Sequence, residues 1–322
     1  MTIDHIAVVG AGAWGTALAL AAHRAGRRVT LWGRNAADMA ASRENSAHLP
    51  GVKLPDAMQV TDRVEEVLSA DAILLATPAQ TVREGAGRLE AIREDTPGVL
   101  CAKGLERGTA KRMTEVLAEA LPPAAPAVLS GPSFAVDVAR GLPTAVTIAA
   151  TELKLAMALC HALGSASFRP YAETDMIGVE VGGAFKNGLA IAAGIVAGRE
   201  FGASASAAVI ARGFAELRRL GEAQGALPET LMGLSGLGDL VLTCSSVQSR
   251  NFAYGHALGS GAALPPALAE GAATAPVARD LARRLDVPMP ITEAVAAILE
   301  GTLSIDAAAE ALMLRPLKRE VD

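Results

Sequence analysis

The stretch VEVGGAFKNGLA, residues 179–190, sets Lys186 and Asn187 inside what reads as the start of a buried helix. The run continues as IAAGIVAG, with no further charge until Arg199. At helical spacing Lys186 shares its side with Gly182, Gly183, Ala190, Ala193, Gly194 and Ala197, so another group could come close to the backbone there. An ammonium buried on that face is costly unless it is paired or meets a ligand. The alternative is a lysine whose stem is buried and whose head reaches water. Other positions also invite chemistry. Lys103-Gly104 follows VLCA, Gly131-Pro132-Ser133 follows AVLS, and Thr77-Pro78 follows ILLA, each at what reads as the end of a strand. Lys103 there either faces a cleft or is a plain surface lysine. Two polar islands interrupt the apolar second half: Gly236-Leu237-Gly238-Asp239, and residues 245–251, which end in Ser249-Arg250-Asn251. A guanidinium flanked by two neutral hydrogen-bonding side chains at a helix start suits a phosphate monoester. Equally, Ser249 could simply cap the helix and leave Arg250 solvated.

The elements that must position these residues fall into two halves. IAVVGAGAWGTALALAAHRAG is a short apolar strand, then Gly10-x-Gly12-x-x-Gly15, then an alanine-rich helical run ending at Gly26. With RRVTLWGR as the next strand, this is the context of a dinucleotide-binding turn. Gly10 makes the tight turn, Gly12 lets a pyrophosphate approach the backbone, and Gly15 packs helix against strand. Where an NAD site usually carries Asp or Glu after the second strand, this chain has Arg34. A guanidinium can pair with a 2′-phosphate, so NADP(H) is expected to be preferred and NAD(H) accepted; otherwise Arg34 is a solvated surface arginine. Further strands are expected at DAILLATPAQ, GVLCAKG, PAVLSGPSFA and PTAVTIAA. This alternation predicts an α/β doubly wound, mostly parallel sheet, with ligands beyond the carboxyl ends of its strands. From about residue 173 the pattern turns helical, with helices expected over 203–225, 270–286 and 290–300 and a loop at the proline pair 265–266. The expected division is a dinucleotide-binding domain over 1–178 and an all-helical substrate domain over 179–322, with the first long helix running straight out of the sheet domain.

Composition bounds the function. The chain has 322 residues, 51% hydrophobic and 20% charged, enough for two sizeable cores. A net charge of −5 argues against a nucleic-acid partner. Cys101, Cys160 and Cys244 are far apart and the histidines are scattered, so no structural metal is expected and a reducing compartment is the natural home. Residues 6–22 resemble a signal-peptide core, but Asp4 precedes them and no Lys or Arg does. No run is convincing as a membrane span. A cytoplasmic protein is therefore expected, and its alanine-rich helices could offer a homodimer face.

Taken together, GAGAWGTALA, NSAHLPGVKLP, ATPAQ, AKGLE, LSGPSFAVDVARGLPTAVTIA, IGVEVGGAFKN, GLSGLGDLVLTCSS and SRN resemble the bacterial-type NAD(P)-dependent glycerol-3-phosphate dehydrogenase family across nearly the whole chain. The resemblance implies an N-terminal Rossmann domain and a helical C-terminal domain. It also implies reversible reduction of dihydroxyacetone phosphate to sn-glycerol 3-phosphate, which feeds glycerophospholipid synthesis. By the same resemblance Lys186, the lysine of GGAxKN, is the catalytic proton donor or acceptor, and Lys103 touches substrate and cofactor. Substrate contacts carry over to Gly131, Ser133, Asp239, Ser249, Arg250 and Asn251. Cofactor contacts carry over to Ala13, Trp14, Arg34, Ala135, Arg250, Leu268 and Glu270. The segment GREFGASASAAVIARG departs from the family pattern, with Ser204 and Ser206 where Asn and Lys are usual.

Hydride transfer to a ketone develops negative charge on its oxygen, which must be stabilised and protonated. With no metal-ligand cluster and no histidine in any motif, a lysine ammonium is the remaining acid. Lys186 is expected to have its pKa lowered by the apolar helix and by Lys103, with Asp239 pulling it back up. Small side chains around Lys186 would leave room for substrate and nicotinamide. The rival expectations are a related two-domain dehydrogenase of a β-hydroxyacid or sugar-acid phosphate, and a non-catalytic dinucleotide-sensing protein.

Overall fold

The computed structural model describes residues 2–34, 36–266, 269–317 and 319. Apolar runs bounded by glycine and polar turns give the strands β1 His5–Val9, β2 Arg28–Trp32, β3 Gln59–Thr61, β4 Ala72–Leu75, β5 Thr96–Leu100, β6 Ala124–Ser130, β7 Thr144–Ala150 and β8 Phe168–Glu173. They form one sheet in the order β3-β2-β1-β4-β5-β6-β7-β8. The first six in chain order run parallel; β7 is antiparallel to β6, and β8 is parallel to β7. Strands β1, β4 and β5 are buried along their whole length, as expected of a sheet covered on both faces. Two strands escape the sequence pattern. β3 is only three residues long, and β8, FRPYAE, carries a proline and charges as befits an edge.

The helices of this half are α1 Ala13–Arg24, α2 Ala36–Ser42, α3 Val82–Gly87, α4 Met113–Ala120, α5 Ala135–Ala139 and α6 Leu153–Leu163. Those that follow are α7 Met176–Gly198, α8 Ala203–Ala223, α9 Pro228–Met232, α10 Asp239–Cys244, α11 Arg250–Ser260, α12 Glu270–Arg284, α13 Pro290–Leu299 and α14 Ile305–Met313. The result is a Rossmann-type N-terminal domain followed by a helical C-terminal domain.

Helix α7 follows the last strand almost without a linker and is the spine of the helical half. Asp175 caps it, its carboxylate accepting from the backbone N–H of Gly178 at 2.8 Å and of Leu227 at 2.8 Å. By length and hydropathy α7 could cross a membrane, yet 89% of its most apolar window is buried by the protein's own packing. Phe185, Leu189 and Ile195 of α7 share one apolar core with Leu217 and Leu220 of α8, Ala278 of α12 and Val295 of α13. Close approach explains the small residues. A Cβ added at Gly194 would lie 2.2 Å from the Phe252 carbonyl oxygen, and one at Gly255 would lie 2.1 Å from that of Ile191. The backbones of α7 and α11 are therefore in contact. Much of the small-residue surface read as room for substrate is filled by that helix instead.

Candidate active site

Lys186 lies in the middle of α7 and is only 6% exposed, so its head does not reach water. Its Nζ donates to Asp239 Oδ1 at 2.5 Å and to Thr243 Oγ1 at 2.6 Å. Asp239 and Thr243 are one turn apart on α10, which places both oxygens on one face. A π-helical turn, Leu234–Gly238, leads into α10 and accounts for the glycine-rich island before Asp239; such turns recur at functional sites. The other carboxylate oxygen, Asp239 Oδ2, accepts from Lys103 Nζ at 2.7 Å. Lys103 lies just beyond β5, its side chain mostly buried, and also donates to the Gly131 carbonyl at 3.1 Å. Both sequence-flagged lysines and Asp239 thus meet at the carboxyl ends of β5 and β6. One carboxylate faces two ammonium groups, so the cluster retains an unbalanced positive charge in a chain whose net charge is −5. Burial drives the Lys186 pKa down to about 8, Asp239 opposes that shift, and Lys103 adds to it. A group poised there can give or take a proton near neutral pH.

The SRN segment opens α11. Ser249 is its N-cap, its Oγ accepting from Phe252 N at 3.2 Å. Asn251 is buried and fully engaged: its Nδ2 donates to Asn187 Oδ1 at 2.9 Å, and its Oδ1 accepts from Gly271 N at 2.9 Å. What this segment presents outward is the exposed Arg250 guanidinium beside the N-terminus of α11. Ser133 Oγ donates to the Gly131 carbonyl at 3.0 Å. Glu270 opens α12, and burial raises its carboxyl above its ordinary pKa, with Arg250 the leading group that opposes the shift.

The glycine turn of β1–α1 completes the picture. Gly10 has φ +112°, and a Cβ on Gly15 would fall 1.8 Å from the Gly10 carbonyl oxygen. Around Gly12 a Cβ would meet nothing within 4 Å, so space stands open against the backbone at the start of α1. Ala13 and Trp14 form the first turn of that helix, and Trp14 Nε1 is buried with no hydrogen-bond partner among the described residues. Arg34 is exposed just past β2, and Ala135 begins α5. Leu268 lies outside the described residues.

Family models for the N-terminus and the C-terminus of NAD-dependent glycerol-3-phosphate dehydrogenase match residues 5–156 and 175–310. The chain belongs to the NAD-dependent glycerol-3-phosphate dehydrogenase family. A Bradyrhizobium diazoefficiens protein named glycerol-3-phosphate dehydrogenase (NAD(P)+) is 61% identical over 325 residues, covering 99% of this chain and 100% of that one. An Afipia carboxidovorans protein of the same name is 56% identical over 322 residues, covering 99% of each chain. The crystal structure of glycerol-3-phosphate dehydrogenase from Coxiella burnetii is 38% identical and superimposes with a TM-score of 0.92, over 97% of this chain and 99% of that one.

In this glycerol-3-phosphate dehydrogenase family member, three further groups stand at the site: Thr243 and Ser130, which no motif marked, and Asn187, which stood out beside Lys186 but without a role. Thr243 was detectable as the hydroxyl four residues after Asp239 in DLVLT. Asn187 donates from Nδ2 to the Lys103 carbonyl at 3.1 Å and so holds the lysine's backbone. Ser130 ends β6 with a buried hydroxyl that has no hydrogen-bond partner among the described residues. A Cβ on Gly183 would lie 2.6 Å from that hydroxyl and 3.4 Å from Lys103 Cγ. What Asn187 and Ser130 face could not be read from spacing, because Lys103 and Gly183 lie far from them in the chain.

Proposed function

We propose that this chain reversibly reduces dihydroxyacetone phosphate to sn-glycerol 3-phosphate with NADPH, or less readily NADH, as an oxidoreductase of glycerophospholipid synthesis. The observation that carries this reading is the buried Lys186–Asp239–Lys103 cluster at the strand ends of a dinucleotide-binding sheet. Residues Gly10, Gly12, Ala13, Trp14 and Gly15 would hold the pyrophosphate side of the cofactor, and the open space at Gly12 fits such a group. Arg34 would meet a 2′-phosphate, with Lys103, Ala135, Arg250, Leu268 and Glu270 lining the remainder. When bound, the cofactor supplies hydride to the ketone carbon and accepts it back from the alcohol. Lys186 Nζ gives its proton to the ketone oxygen, the N–H bond breaking as the O–H bond forms, and is left as a neutral amine. In alcohol oxidation that amine takes the proton back. Asp239 fixes the direction of the Lys186 N–H bonds, and the excess positive charge shared with Lys103 stabilises negative charge growing on the oxygen. Arg250, at the start of α11, would anchor the phosphate, with Ser249 and Asn251 holding that helix start in place through Phe252 N, Asn187 and Gly271, while Gly131 and Ser133 border the substrate. Binding energy at the phosphate can then position the reacting carbon.

Two finer expectations follow. Arg250→Ala is expected to raise KM for dihydroxyacetone phosphate roughly tenfold to a hundredfold, the worth of a hydrogen bond to a charged group, with a much smaller change in kcat. Steady-state kinetics over a substrate series checks this. Arg34→Ala is expected to cut the NADPH-over-NADH preference roughly tenfold or more, read from kcat/KM with each cofactor. The domain division at 178–179 belongs to the same proposal, as do a cytoplasmic location, a homodimer formed through the helical half, and the absence of nucleic-acid or membrane partners. The test of the reaction is loss of reduced-cofactor absorbance with dihydroxyacetone phosphate, run with NADPH and with NADH. Turnover with the phosphate ester and none with unphosphorylated dihydroxyacetone is the expected result. Cofactor binding without turnover of any ketone would defeat the reading.

A further inference from the structure

A second ionisable group lies buried in α7, six residues before Lys186. Glu180 is 4% exposed, and neither the proton transfer nor the phosphate anchor uses it. Its Oε1 accepts from Thr114 N at 2.9 Å, and its Oε2 accepts from Thr114 Oγ1 at 2.7 Å, with Arg112 Nε at 4.0 Å from Oε2. Thr114 is in the first turn of α4, so a carboxylate from the helical domain sits against the N-terminal end of a helix of the sheet domain. The neighbouring Val179 packs on Val128 of β6 and Ala149 of β7.

The chain between β5 and α4 explains why this contact bears on the reaction. That segment carries Lys103 near its start and reaches Thr114 at its end. Asn187 of α7 holds the Lys103 carbonyl at 3.1 Å. Glu180 and Asn187 are seven residues apart, about two turns and hence on one face of α7, with roughly 10 Å between them along the axis. The one helix that carries Lys186 therefore grips the Lys103 segment at both ends. We propose that Glu180 is a positioning residue for the reaction: its carboxylate clamps α7 to the start of α4 and so sets the placement of Lys186 relative to Lys103 across the domain junction. This rests on the reaction proposed above, and the wild-type protein serves as the control for that reaction.

The test compares the wild type with Glu180→Ala, Glu180→Gln and Thr114→Val, at a temperature where circular dichroism shows each folded. For Glu180→Ala the expectation is a fall in kcat with dihydroxyacetone phosphate of roughly ten- to a hundredfold, the cost of a small displacement of reacting groups. NADPH affinity, measured by fluorescence titration, should fall far less than kcat, because of the proposed cofactor contacts only Lys103 lies on the displaced segment, while the glycine turn and Arg34 lie around β1, α1 and β2. Glu180→Gln keeps the amide oxygen as an acceptor for Thr114 N and should recover most of the lost rate. Thr114→Val removes one donor and should fall between, which keeps the proposal open to test if Glu180→Ala does not fold. Unchanged kcat in Glu180→Ala, or in Thr114→Val where the alanine variant is unfolded, would overturn the proposal. So would a parallel loss of kcat and cofactor affinity, which marks a purely structural role. An inactive wild type would instead count against the reaction itself.

Discussion

Lys186→Ala is expected to lower kcat for dihydroxyacetone phosphate reduction by roughly 10²–10⁴-fold, the usual worth of a positioned general acid. The loss should appear in kcat and in kcat/KM alike, because the proton moves only in the transition state. The fold should survive. Removing the Lys186 ammonium leaves Asp239 still paired to Lys103 at 2.7 Å, so no buried carboxylate is left without a partner. Phosphate binding should also hold, since Arg250 is on a different helix. Single-turnover kinetics at saturating cofactor and substrate separates the chemical step from product release and gives this figure directly. A near-normal rate in that experiment would mean that another group supplies the proton.

The second large effect is expected at Asp239, which is 1% exposed and faces two ammonium groups. Asp239→Ala leaves Lys103 and Lys186 close together without the carboxylate that hydrogen-bonds both, Glu270 acting on them only at longer range. Breaking a buried pair in this way costs about 3–5 kcal/mol, enough to lower the melting midpoint by several degrees in a chain of this size. Asp239→Asn keeps the shape but not the charge. Because Asp239 raises the Lys186 pKa against burial, its neutralisation should drop that pKa further below about 8. The ammonium needed for ketone reduction would then be lost at lower pH, so the reduction profile should move towards acid. Calorimetry and a pH–rate series check the two halves of this prediction separately. An unmoved profile in Asp239→Asn would show that the carboxylate does not tune Lys186.

Both effects trace to residues of unequal legibility in the sequence. The glycine turn could be read because its backbone needs and its chemistry fall in one short segment: Gly10, Gly12 and Gly15 follow a strand and open a helix. Lys186 stood out because an apolar helix surrounds it. Asp239 stood out as the acid that ends a glycine-rich island, but its distances to Lys186 and Lys103 could not be read, because 53 residues separate it from Lys186 and only the packing of α10 against α7 joins them. Glu180 gave the same kind of signal as Lys186, a lone charge within buried apolar residues, yet its partner is 66 residues back in the sheet domain. The strands β3 and β8 were hidden for a different reason. Edge strands need no apolar run, and a three-residue strand has too few positions to show a period. The small residues of α7 were visible, but not what they face. A missing side chain signals close approach without saying whether a ligand or another backbone comes near, and here α11 takes much of that face.

The central claim is that Lys186 exchanges the proton, and the pH dependence of kcat/KM in both directions tests it most directly. Between pH 7 and 10, oxidation of sn-glycerol 3-phosphate requires the neutral amine and should rise with pH through a midpoint near 8. Reduction of dihydroxyacetone phosphate requires the ammonium and should fall through the same midpoint. Mirror-image profiles that both vanish in Lys186→Ala are the predicted result. Profiles that are flat across this range, or that persist unchanged in the variant, would contradict the account.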